Sequence, residues 1–192
     1  MQSISARGIT LREITENDLP ILHNWRNNDH FMTFCSTRRN TVDIDQFKQE
    51  LMSDFKRDRH IQCLIMRIGR PIGTIYSYGL NKTDGHVSIT TYLVADNERR
   101  GYGAIAFALF MKYLFESFGL YKIYSDAYSY NISSLQAMRD AGFVEEGVFK
   151  GHRLINGKRH DLARMAFFRE AFPKLQAFVT RLTAKNQKCN LK

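Results

Sequence analysis

The chain has 192 residues and a mass of 22.4 kDa; 44% are hydrophobic and 24% charged, proportions that exclude wholesale disorder and allow a core without disulfides or a structural metal. Lys plus Arg number 28 against 19 Asp plus Glu, a formal charge of +9 that points to an anionic ligand: the phosphates of a cofactor, a nucleotide or RNA. The three cysteines, Cys35, Cys63 and Cys189, form no CxxC pair, which excludes a zinc ribbon and fits reduced thiols in a cytoplasmic setting.

From the N-terminus, Met1–Arg7 lacks the apolar stretch of a signal peptide. Gly8 to Ile14 alternates as a strand, and Thr15 with Asp18 has capping-box spacing ahead of a helix carrying Leu19, Leu22 and Trp25. A second helix is predicted over Asp43 to Arg57, with Ile44, Phe47, Leu51 and Phe55 on one stripe. Three strands follow, Ile61 to Ile68, Pro71 to Tyr78 and His86 to Val94, the first two joined at Gly69-Arg70-Pro71. A helix from Gly103 to Phe118 comes next. It contains the longest apolar run, Gly103 to Met111, well short of the ~20 residues of a membrane span. A strand over Lys122 to Ala127 and a helix over Ile132 to Ala141 precede two strands flanking Asn156-Gly157, a strong hairpin signal. From Pro173 the residues Leu175, Phe178, Val179 and Leu182 predict a closing amphipathic helix, with a loose polar tail after Ala184. The order β-α-α-β-β-β-α-β-α-β-β-α defines an α/β (α+β) domain with a mixed sheet over residues 1–170, followed by a C-terminal helix and tail over 171–192.

The segment richest in chemistry is Val94-Ala95-Asp96-Asn97-Glu98-Arg99-Arg100-Gly101-Tyr102-Gly103-Ala104, between a strand and a helix. Two glycines let the backbone approach a ligand closely, the amides of the first helical turn converge there, and the helix dipole favours an anion. Arg99 and Arg100 add positive charge at the rim. The segment matches neither GxxxxGK[ST] nor GxGxxG, since Ala106 stands where the third glycine of the latter would be. A second segment, Asn131-Ile132-Ser133-Ser134, opens a helix that ends at Ala141-Gly142-Phe143, with Asn131 as N-cap and Gly142 as stop.

Together the two segments resemble the GCN5-related N-acetyltransferase (GNAT) superfamily, whose signature is (R/Q)xxGxG/A followed by NxxSxxxxxxxGF. The continuation Glu146-Gly147, Asn156-Gly157 and His160-Asp161 is similar to the subgroup of ribosomal-protein alanine and spermidine N-acetyltransferases; the resemblance spans residues 8 to 168. It implies a central, mostly antiparallel sheet in which two parallel strands splay around acetyl-CoA, with no metal. Leu93, Val94 and Ala95 would meet the pantetheine arm; Arg99, Arg100, Gly101, Tyr102, Gly103 and Ala104 the pyrophosphate; Asn131 and Ser134 the region beside the arm. Glu98 departs from the motif, and as a carboxylate it should point away from the phosphates. Many members use a tyrosine as the acid for the departing thiolate; that position is Met138 here, so the resemblance transfers the role to Ser134, with Tyr128 and Tyr130 as rivals. The subgroup's glutamate base is replaced by Arg153, which leaves His152, His160, Asp126, Glu146 or a water relay for the amine proton.

For the acceptor, the Leu22-His23-Asn24-Trp25-Arg26-Asn27 segment is similar to acetyltransferases of amino-sugar nucleotides, so Trp25, Arg26 and Phe31 form a prospective acceptor wall that Arg153 extends. The net charge argues against a polyamine and for an amino-sugar nucleotide or a protein N-terminal amine. Antibiotics are further acceptors to weigh. A CoA- or nucleic-acid-binding module without catalysis is the non-enzyme alternative, although the chain has no RNA-recognition motif. Neither a membrane nor direct nucleic-acid contact is expected, and a homodimer is compatible with the resemblance.

Overall fold

The computed structural model describes residues 3–57, 59–98 and 100–187. Among these, eight strands form one sheet in the order β1-β2-β3-β4-β5-β6-β8-β7. The chain runs β1 (Ile4–Ala6), β2 (Ile9–Glu13), α1 (Leu19–Arg26), α2 (Asp29–Phe34), α3 (Ile44–Arg57), β3 (Arg59–Arg67), β4 (Arg70–Asn81), β5 (His86–Leu93), α4 (Tyr102–Phe118), β6 (Lys122–Tyr128), α5 (Ile132–Asp140), β7 (Val144–Ile155), β8 (Lys158–Phe168) and α6 (Phe172–Gln187). Every neighbouring pair is antiparallel except β5 with β6, which is parallel. The expected mixed sheet and its crossover through α4 are present.

The sheet is covered on both faces at β3 and β4, whose residues 61–65 and 72–77 are buried without a break, whereas burial alternates along much of β5 and β6. Ile65, Ile75, Ile89 and Ile123 turn toward α4, whose Ala106, Phe110, Leu114 and Phe115 are buried in the larger core; Leu135 and Met138 of α5 and Val179 of α6 complete it. On the opposite face Leu64 and Tyr92 pack with Leu22, Trp25, Phe47 and Leu51 of α1 and α3. Adjacent residues Leu64 and Ile65 thus serve two different cores, as the two-residue strand repeat requires.

Two elements depart from the sequence reading. The first strand is a hairpin: Arg7 (φ 48°) and Gly8 (φ 76°) both sit in the left-handed region and return the chain from β1 to β2. In addition, a short helix, α2, intervenes between the two predicted early helices. Asn28 caps it by accepting from the His30 amide at 2.9 Å. The Asn156-Gly157 hairpin forms as expected, with both residues at positive φ. The closing helix extends past Ala184 to Gln187, while Cys189 and the last residues of the tail lie outside the described residues. At the first helix, the Asp18 carboxylate accepts from the Thr15 amide (2.7 Å) and from both terminal nitrogens of Arg12 (2.8 and 2.9 Å), so Asp18 fulfils its predicted capping role and ties the turn to β2.

Candidate functional site: a splayed strand pair beside a glycine-opened helix

The parallel pair β5–β6 is in register only from His86–Lys122 to Ser88–Tyr124. Beyond that point β5 continues to Leu93 along β4, and β6 continues to Tyr128 along β8. The facing edges of residues 89–93 and 125–128 therefore part, and among the described residues their backbone groups have no strand partner across the gap. Buried backbone donors and acceptors need partners, so a gap of this kind accommodates a slender ligand that carries amides of its own.

At the open end of β5 the chain turns into α4 through Gly101, whose φ of +77° is strained for any residue with a Cβ. A Cβ on Gly103 would lie 3.0 Å from Leu93 Cδ1, so the absence of a side chain there lets the end of β5 pack against the helix start. The first helical bond runs from the Ile105 amide to the Gly101 carbonyl. Helical geometry leaves the amides of Tyr102, Gly103 and Ala104 unused within the helix, at the positive end of a 17-residue dipole. Arg100 is exposed beside them, the Tyr102 ring lies under the Arg67 guanidinium (4.6 Å), and Arg99 lies outside the described residues. This cradle of orphan amides, open around Gly101, fits the pyrophosphate of CoA, and the gap above it fits the pantetheine arm. Glu98 does turn away from the cradle: its carboxylate meets His30 Nε2 of α2 at 2.8 Å.

On the other side of the gap, Asn131 caps α5 by accepting from the Ser134 amide (3.3 Å), which leaves its carboxamide NH2 for a ligand. Ser134 is half-buried and, among the described residues, its hydroxyl is unbonded, so it does not fold back onto its own helix. Tyr130 is differently placed. Its hydroxyl donates to the Thr33 carbonyl of α2 at 2.7 Å, burial pushes its phenol above the ordinary range, and its ring stacks on Tyr128 (5.3 Å) and meets His160 edge-on (5.0 Å). Its proton is committed to the protein, which corrects its placement among the proton donors. His160 sits at the end of this aromatic column, and the neighbouring Asp161 accepts from Lys150 and the Gly151 amide. Two further base candidates are engaged, Asp126 by Arg164 and Glu146 by Lys122 (2.7 Å), while His152 is exposed at the edge strand.

The acceptor wall needs a larger correction. Trp25 is buried and packs against Tyr92 (5.8 Å), as does Phe31 (5.0 Å), so these aromatics do frame the cavity between α1, α3 and the sheet. Arg26 and Arg153 are also buried, and their heads are spent on the protein. Arg26 holds Glu50 (3.1 Å) and the Asn40 carbonyl (2.8 Å); Arg153 donates to the carbonyls of Met32 (2.6 Å) and Ser36 (2.7 Å). Neither guanidinium is free to turn toward an anionic substrate, Arg26 being held by a carboxylate and Arg153 by two carbonyls. A third arginine, Arg38, bridges Glu50 and Asp54 in the same cavity. Cys35 is half-buried at the end of α2, and its surroundings push its thiol up to about 12, chiefly by burial, which disfavours the reactive thiolate. His30 and Tyr92, which the sequence reading did not single out, meet at 5.8 Å where α2 docks on β5.

A splayed parallel pair opening onto a glycine-opened helix start defines an acyl-CoA N-acyltransferase. The family model described as the acetyltransferase (GNAT) domain matches residues 9–144, and the chain belongs to that family. It is an acetyl-CoA-dependent N-acetyltransferase. Among curated proteins it is similar to the spermidine N(1)-acetyltransferase of Vibrio cholerae, 23% identical over 159 residues that cover 82% of this chain and 91% of that one. Among solved structures, the V. cholerae spermidine N-acetyltransferase in complex with CoA and spermine superposes with a TM-score of 0.78 at 21% identity, covering 85% of this chain and 96% of that one. A dodecameric structure of the V. cholerae enzyme in an intermediate state gives a TM-score of 0.74 at 20% identity, covering 86% and 96% of the two chains. These structural likenesses carry the fold, and the motif residues carry the chemistry.

Proposed function

We propose that the chain acetylates the primary amine of a small molecule, with a polyamine of the spermidine type as the favoured acceptor class. The observation that carries this reading is that the two arginines that had pointed to a phosphate-bearing acceptor are engaged within the fold, Arg26 by Glu50 and Arg153 by the carbonyls of Met32 and Ser36. The names of the relatives point the same way. Glu50 and Asp54 line the cavity beside Trp25 and Phe31, so an ammonium approaching it meets two carboxylates as well as the arginines that pair with them. The net charge of +9 is a weak objection, because exposed charges beyond about 10 Å are screened at ordinary salt. The acceptor that the sequence favoured over a polyamine, an amino-sugar nucleotide, keeps one supporting observation: Arg39 is exposed, and its charge reaches Tyr130.

Acetyl-CoA supplies the activated acetyl group as a thioester. The chain's residues bind it at the α4 amides, orient its arm between β5 and β6, and stabilise developing negative charge on the acyl oxygen with a backbone N–H of the parted β5 edge. The attacking amine must be neutral. With Asp126 and Glu146 held in salt bridges, its proton leaves through ordered water or His160. Ser134 relays a proton to the departing thiolate, forming an S–H bond as the C–S bond breaks, and its hydroxyl is refilled in the same step by the water that takes up the amine's proton. Arg153, Tyr130, Arg26 and Trp25 build the site without touching the reacting atoms.

The test is an acceptor panel of spermidine, spermine, nucleotide-linked amino sugars, N-terminal peptides and aminoglycosides. Thiol release and the mass of the acetylated product would be followed at fixed acetyl-CoA. Spermidine or spermine should give the highest kcat/KM; a nucleotide amino sugar or peptide exceeding them would overturn the acceptor assignment.

A further inference from the structure

Four carbonyls at and just past the C-terminal end of α2 are taken by side chains from elsewhere in the fold. Arg153 of β7 holds those of Met32 (2.6 Å) and Ser36 (2.7 Å), Tyr130 before α5 holds that of Thr33 (2.7 Å), and Tyr76 of β4 holds that of Cys35 (3.3 Å). At six residues, α2 is too short to hold itself together, and isolated helices of such length are unstable in water. Its position comes from this clamp and from the His30–Glu98 contact at its other end.

Arg153 dominates the clamp. It is buried, and among the described residues no carboxylate pairs with it; the negative end of α2 and the face of Tyr128, 4.4 Å away, stand in for one. Its fork reaches carbonyls four residues apart, a geometry that a planar, multi-donor guanidinium can serve and a lysine ammonium serves poorly.

We infer that Arg153 is a positioning residue for the acceptor: it couples the β7–β8 hairpin to α2 and so sets where Phe31, Cys35 and Ser36 stand along the acceptor cavity. The inference builds on the acetyl-transfer reading above and gives the replaced base position a new task. The cofactor cradle at α4 is one step removed from it: Gly101–Ala104 share no hydrogen bond with Arg153, and the loop before them meets α2 only through His30–Glu98, at the helix end away from the clamp.

The experiment compares the wild type with Arg153→Lys and Tyr130→Phe. In both variants KM for the best amine of the panel should rise, roughly tenfold for Arg153→Lys, which loses a charge-assisted bond, and less for Tyr130→Phe. KM for acetyl-CoA and the thermal shift produced by CoA should stay within about twofold of wild type, since the helix-terminus site is untouched. An equal rise in both KM values, or in neither, overturns the positioning role. Hydrogen exchange supplies a readout that needs no turnover: in Arg153→Lys the amides of residues 30–36 should exchange faster while those of 106–118 keep their rates. Unchanged exchange in 30–36 defeats the clamp even if the enzyme acetylates amines. Conversely, a wild type that acetylates no amine while showing the exchange effect defeats the functional reading and leaves the clamp standing.

Discussion

Glu98 Oε1 lies 2.8 Å from His30 Nε2, so the residue that departs from the phosphate-loop motif is used to join that loop to α2. The carboxylate is half-exposed and sits in the same loop as the cradle, so its charge should oppose a pyrophosphate weakly. Glu98→Gln should tighten CoA binding about twofold to threefold at low salt, the scale of a screened surface charge. Titration calorimetry at two ionic strengths checks this, and the gain should vanish at high salt.

Gly101→Ala separates conformation from crowding. A Cβ there meets nothing within 4 Å, yet φ is +77°. The expected cost is about 1–2 kcal/mol, the penalty for holding an L-residue in the left-handed region. CoA affinity should fall roughly tenfold by the same scale if the loop relaxes instead of paying that strain. Circular dichroism on heating and a CoA titration measure the two parts.

Ser134→Ala tests the acid. Removing a general acid costs about 10²–10⁴-fold in rate, and the loss should appear in kcat at saturating substrates, with KM for acetyl-CoA little changed. A thiol substrate analogue with a better leaving group should recover much of the loss. Turnover equal to wild type would exclude Ser134 from the proton transfer.

Buried Arg26 is held by half-buried Glu50, and each depends on the other as a partner. Removing only the arginine leaves Glu50 with Arg38 as its remaining cation and empties a buried position. Arg26→Met should therefore destabilise the chain by about 3 kcal/mol or more, read as a lower midpoint in urea with an unchanged slope.

Asp18 carries a pH signature. Its carboxyl is held below the usual range, first by Arg12 and then by the Thr15 amide and hydroxyl, against the opposing effect of burial. A depressed folded-state pKa means that its contribution is present above the unfolded value near 3.9 and is lost as pH falls through the lower folded value. Stability at neutral pH should drop by about 1–2 kcal/mol in Asp18→Asn, and the wild type and variant should converge as pH falls below about 3.9. Urea melts at pH 7 and pH 3 make the comparison.

Much of the cofactor half was legible because its signals are local. The glycine spacing at 101 and 103, the Asn131 cap, the Gly142-Phe143 stop and the Asn156-Gly157 turn each act through a few consecutive residues, and all fall where expected. The acceptor half was much less legible. The Asn28 cap was available as a sign of α2, but six residues with Phe31, Met32 and Phe34 give too short a period to distinguish a helix from a connecting loop. Arg7-Gly8 hid a hairpin because a first strand of three residues carries no readable alternation.

Charge was the least transferable signal. A sequence counts arginines but cannot pair them, since Arg26 meets Glu50 across 24 positions and Arg153 meets Met32 across 121. The residues alone determined the mixed sheet and the helix that opens on glycine, because those follow from backbone conformation and short-range spacing, and the acetyl-CoA chemistry came with the resemblance that these local motifs carry. The tertiary structure alone decided which charges remain available to a substrate, because an ion's partners are chosen by packing between elements far apart in the chain.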